Sequence, residues 1–82
     1  MVKNNASFST PEESTEWLRV RMAKLSISSL EELAKMTDID RGTLSRYFHH
    51  ERRPSIDVLE PLCSALQVSP ETLLKALGAI AK

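Results

Sequence analysis

"SLEELAKMTDIDRGTLSRYFH", residues 29–49, decides how this chain is read. Leu30, Leu33, Ala34 and Thr37 recur at the spacing of one helical face. Ser29 stands where it can cap that helix, with Glu32 three residues on as its reciprocal partner. Asp38 suits the sharp turn that ends it, because aspartate tolerates a left-handed backbone better than most residues. Asp40 can then cap a further helix over Arg41 to about His49, its inner side formed by Leu44, Tyr47 and Phe48. The spacing predicts two short helices joined by a turn at Asp38.

Working outward, "TPEESTEWLRVRMAKL" predicts a helix over about 11–25. Thr10 can cap it, Pro11 suits its first position and Glu13 can close a capping box. Leu18, Met22 and Leu25 form its stripe, with Trp17 in the core or at its rim. Residues 1–9 are polar and are expected to be disordered, leaving 10–82 as a single domain. Downstream, "PSIDVLEPLCSALQV" places Ile56, Leu59, Leu62, Cys63 and Leu66 on one side of a fourth helix. Pro61 would break a helix interior, so a late start is expected, capped by Asp57 with Glu60 as partner. "SPETLLKALGAIAK" repeats the start chemistry at Ser69 and Pro70, then offers Leu73, Leu74, Leu77 and Ile80. Leu77 and Ile80 are assigned to a dimer seam. The expected fold class is all-α, five helices joined by short turns.

Composition sets bounds on function. Among 82 residues, 41% are hydrophobic and 27% charged, with a helix-favouring balance of side chains. Eleven basic residues balance eleven acidic ones, which argues against a general polyanion or membrane-surface binder. Within "DRGTLSRYFHHERRP", however, Arg41, Arg46, Arg52 and Arg53 face only Asp40 and Glu51. The lone Cys63 allows no internal disulfide and falls on an apolar stripe, as an inert core thiol would. No apolar run approaches the roughly 18 residues of a membrane span. The polar start lacks a signal-peptide centre, and a cytoplasmic location is expected.

The Leu33–Ala34 pair, the turn at Asp38, apolar Ile39, then Leu44 and Tyr47 resemble the helix-turn-helix of the lambda-repressor/Cro-like (XRE) family. Pro54 and "LCSALQVSPETLL" are similar to that family's fourth and fifth helices, so the resemblance spans roughly residues 15–77. Three positions depart from it. Asp38 stands where glycine is usual. Phe48 replaces a glutamate that pairs with an arginine of the first helix, which leaves Arg21 free. His50 stands where another glycine is common, so a different loop path is expected after the third helix.

The resemblance implies a small sequence-specific DNA-binding transcriptional regulator, a repressor, reading the major groove with its third helix. At about 100° per residue, Arg41, Gly42, Ser45, Arg46 and His49 lie opposite Leu44 and Tyr47. Such a face can enter a groove roughly 12 Å wide. Arg41, Gly42, Ser45 and Arg46 are assigned to base reading, since arginine can donate twice to guanine and Gly42 permits close approach. Ser29, Leu30, Thr43, His49, His50, Arg52 and Arg53 are assigned to the DNA backbone, the first two because helix starts attract phosphate. One such helix reads few base pairs, so a homodimer on a palindromic operator in double-stranded DNA is expected.

Two rivals remain at this point. One keeps DNA binding but makes the chain an antitoxin or phage immunity regulator with a protein partner. The other is a protein-interaction adaptor without a DNA role. No paired acid and base, phosphate-cradling glycine loop or metal-ligand set is present, so no enzyme, cofactor, metal site or small-molecule ligand is expected. His49 and His50 point to different helix faces and make a poor metal pair.

Overall fold

In the computed structural model, which describes residues 7–82, the helices begin largely where their capping chemistry stands. Helix α1 runs Pro11–Lys24, and its capping box is complete: Thr10 Oγ1 accepts from the Glu13 N–H, while Glu13 Oε1 accepts from the Thr10 N–H. Helix α2, Leu30–Thr37, starts on Ser29, whose Oγ accepts from the Glu32 N–H. The expected return bond to Ser29 does not form. The Glu32 carboxylate takes the N–H and the hydroxyl of Ser28 instead, each at 2.8 Å, gaining two donors where Ser29 offered one.

Helix α3, Arg41–Phe48, is capped by Asp40, which accepts from the Thr43 N–H at 3.2 Å. Helix α4, Leu59–Leu66, is entered differently, through a 3₁₀ turn at Ile56–Val58 and with no side-chain cap. The late start thus holds, but the expected Asp57 cap does not. Pro61 falls in the first turn of α4, where backbone N–H groups lack helical partners anyway. Helix α5, Pro70–Ala76, begins on Ser69, whose Oγ accepts from the Thr72 N–H. No strand occurs among the described residues, and the all-α, five-helix expectation is met.

A recurring device closes these helices. Ser26, Asp38, His50 and Gln67 all take positive φ, between 56° and 63°, at the ends of α1 to α4. Gly78 does the same after α5 at φ 74°. Left-handed residues there let trailing N–H groups reach the last helical carbonyls. Asp38 behaves as expected, and His50 preserves a glycine-like path without being glycine.

Helix α2 packs against α3 and α4, and α1 against α3 and α5. All five helices contribute to one core, with Leu33, Leu44, Leu62, Leu66 and Leu73 fully enclosed. Phe48 is buried, and its ring stacks on Trp17 at a centroid distance of 6.5 Å. Two apolar expectations are overturned. Ile56 is 81% exposed, because the 3₁₀ turn carries it off the α4 stripe. Leu77 is 2% exposed, covered within the monomer, and has no surface left for a dimer seam; Ile80 stays 37% exposed.

Of the segment expected to be disordered, residues 1–6 lie outside the described residues. Ser7 and Ser9 are tied to the other end of the chain: Ser7 O accepts from the Lys82 N–H, and the Ser9 hydroxyl donates to Lys75 O.

Candidate nucleic-acid interface

Helix α3 turns Leu44, Tyr47 and Phe48 into the core, and that rotation alone sets its other face outward. Arg41, Arg46 and His49 are exposed, while Gly42, Thr43 and Ser45 are half-buried. The base-reading set assigned from sequence therefore shares one surface. Arg46 does not project straight out: its guanidinium lies back over Gly42, near the Asp40 carboxylate.

His49 is held by its own helix. Its Nδ1 lies 2.8 Å from the Ser45 carbonyl oxygen, so this nitrogen carries the proton and donates. Ser45 Oγ is also 3.3 Å from that ring nitrogen, which ties the two side chains together. Arg52 and Arg53 are exposed in the segment before Pro54, where with Tyr47, His50 and Leu77 they line a cleft of about 70 Å³.

His50, also assigned to the DNA backbone, is engaged within the fold. Its Nε2 is 2.7 Å from Ser14 Oγ, so the ring is drawn toward α1 and away from the role given to it. The backbone at this position is left-handed, at φ 63°. Sequence reading missed Ser14, although its place four residues before Leu18 puts it on the same inward stripe. Ser29 and Leu30 sit at the start of α2 as expected. The first turn there already carries Glu31 and Glu32, which answer part of the helix's positive end and weaken it as a phosphate site.

Electrostatically, the arginines divide. Among the described residues the ion pairs are Arg19–Glu16, Lys75–Glu71 and Lys82–Glu13. Arg21, expected to be free, donates from Nε to Leu66 O and from Nη2 to Gln67 O, both at 2.8 Å. With Phe48 in the core, Arg21 has no carboxylate across from it on α3 and closes the end of α4 instead. Arg41, Arg46, Arg52 and Arg53 enter no ion pair among the described residues, so their charge is available to a polyanion. Cys63 is half-buried, and burial together with the Glu60 carboxylate pushes its thiol up from its ordinary value, which keeps it protonated. Among the described residues no helix is long and apolar enough to cross a membrane.

Nothing among curated proteins or solved structures matches the chain. The sequence model of the Cro/C1-type HTH DNA-binding domain does match, over residues 17–77, from within α1 through the end of α5. With its turn at Asp38 and its outward arginine-bearing α3 inside that span, the chain belongs to the family of Cro/C1-type helix-turn-helix DNA-binding domains.

Proposed function

We propose that this protein is a sequence-specific transcriptional repressor acting in the cytoplasm, which reads the major groove with α3. The observation that supports the reading is the set of four arginines on or beside α3 that enter no ion pair among the described residues, in a chain of zero net charge. Arg41 and Arg46 are the proposed base readers, with Ser45 beside them. Arg52, Arg53, His49 and Thr43 are proposed to meet phosphate oxygens and set orientation.

A homodimer on a palindromic site remains part of the proposal, since one α3 covers only a few base pairs. Its surface is no longer drawn through Leu77. Among the described residues the exposed large apolar side chains are Phe8, Val20, Met36, Ile56 and Ile80. Ile56 is the most exposed and lies beside a cleft of about 480 Å³ lined in part by Leu59, Cys63, Val68 and Pro70, while Ile80 belongs to the stripe assigned to the seam. Ile56→Asp and Ile80→Asp, compared by sedimentation, assign the surface: the variant that sediments as a monomer marks it.

Selection of bound duplexes from a random-sequence pool, at stated salt, tests the DNA reading. A repressor of this kind enriches one motif and binds more tightly as salt falls. A chain that enriches nothing and shows no salt dependence is an adaptor, and the reading is then wrong.

A further inference from the structure

Arg46 occupies the last turn of α3, yet its charge is delivered elsewhere. A methyl group built on Gly42 would lie 3.6 Å from Arg46 Nη1 and 3.9 Å from its Cζ. The guanidinium therefore rests over Gly42, one turn nearer the helix start, the direction in which helical side chains lean. That methyl would also lie 3.1 Å from Asp40 Oδ2, the same oxygen that caps α3 through the Thr43 N–H.

We infer that Gly42 is a positioning residue for Arg46: its bare face lets the guanidinium lie along the first turn of α3, beside the capping carboxylate of Asp40, as a pre-placed reader of guanine. This rests on the DNA-binding reading proposed above. The arrangement leaves the donors of Arg46 uncommitted, because Arg46 makes no ion pair among the described residues. A fork of N–H groups left open in this way matches the paired acceptors O6 and N7 of guanine. It also carries Arg46 to the end of the recognition helix where base contacts concentrate. The competing account of Gly42 is that it spares DNA a steric clash, and the two accounts diverge on substitution.

The space over Gly42 accepts one methyl group beside Arg46, since 3.6 Å is an ordinary contact, but at 3.1 Å the Asp40 carboxylate must give slightly. A longer side chain takes the guanidinium's place. The experiment uses duplexes built from the motif selected by the parent protein, with each of the four bases at the position sensitive to Arg46→Ala. The parent should prefer guanine there by about 5- to 150-fold. Gly42→Ala should keep most of that preference. Gly42→Leu should abolish it while discrimination at the other positions and the salt slope hold. In an Arg46→Ala background, Gly42→Leu should change nothing further.

Equal losses from Gly42→Leu with and without Arg46 would assign Gly42 to DNA approach and overturn the inference. So would an undiminished guanine preference in Gly42→Leu. Should circular dichroism show Gly42→Leu to be unfolded, Gly42→Met, unbranched at Cγ, carries the same comparison. A parent protein that enriches no motif sinks the DNA reading and this inference together, whereas the other two outcomes sink the inference alone.

Discussion

His50 Nε2 lies 2.7 Å from the hydroxyl of Ser14, a side chain with no exposed surface. The contact joins the turn that ends α3 to α1. His50 takes φ +63°, a conformation unfavourable for most side chains, and its ring supplies the partner that a buried hydroxyl requires. The strain and the hydrogen bond are therefore coupled. Ser14→Ala should cost about 1 kcal/mol, lowering Tm by roughly 4–8 °C. His50→Gly relieves the backbone but orphans Ser14, so the double variant should be more stable than the sum of the singles predicts. Additive thermal shifts would mean that the two groups do not meet in solution.

Arg21 closes the C-terminal end of α4 by donating to Leu66 O and Gln67 O. A cation bonded to the last carbonyls of a helix stabilises both the bonds and the dipole. Arg21→Met keeps the aliphatic stem and loses the donors. It should cost about 1–2 kcal/mol, seen as a lower urea midpoint with an unchanged m-value. A midpoint equal to the parent's would show those carbonyls to be equally well served by water.

Gln67 ends α4 at φ +56° and is exposed; its backbone N–H donates to Cys63 O and its carbonyl accepts from Arg21, while its side chain makes no hydrogen bond among the described residues. Glycine adopts that conformation without a Cβ penalty. Gln67→Gly should therefore stabilise the protein by about 1 kcal/mol. The opposite change, a fall in Tm, would show that the Gln67 side chain has a role outside the contacts described.

Two capping carboxylates give the fold an acid limb. Glu13 is held below its ordinary value first by the Thr10 N–H and then by Lys82, and Glu32 by the N–H and the hydroxyl of Ser28. Glu16 is lowered likewise by Arg19. A folded-state value below the unfolded one means that the stabilisation is full at neutral pH. It is lost as pH falls through the ordinary carboxylate range and below it. Replacing Glu13 and Glu32 together by glutamine should lower stability at neutral pH and flatten its decline in acid. If the two acid limbs, followed by circular dichroism, superimpose, those carboxylates are not what titrates.

Arg46 and Arg53 should separate base reading from phosphate contact. Arg46→Ala is expected to cost about 1–3 kcal/mol on the selected motif and to relax preference at one position. Arg53→Ala should weaken all duplexes alike and reduce the salt slope by about one. A uniform loss across sequences for Arg46→Ala would move Arg46 to the backbone class.

Helix starts and the outward face of α3 were legible because both rest on local chemistry. Thr10 with Glu13, Ser29, Asp40 and Ser69 cap the nearest exposed N–H groups, and such bonds span only three residues. Periodicity placed Leu33, Leu44, Tyr47 and Leu73 inside for the same reason, since one buried face is a property of one helix. Where the pattern failed, the cause was also physical. Ile56 belongs by spacing to the α4 stripe, but the 3₁₀ turn before the helix breaks the period.

By itself, then, the sequence determined five helices, the caps of α1, α2, α3 and α5, the turn at Asp38 and which residues of α3 point outward. Only the tertiary structure decided what the arginines and histidines touch. Arg21 and Leu66 are 45 residues apart, and Ser14 and His50 are 36 apart, so their meetings depend on how whole helices cross. Burial of Leu77 was likewise settled by neighbours distant in the chain, which close over a residue that its own stripe leaves ambiguous. Short-range hydrogen bonding and a 3.6-residue period can be read along a chain, whereas pairing across helices depends on packing that no single segment encodes.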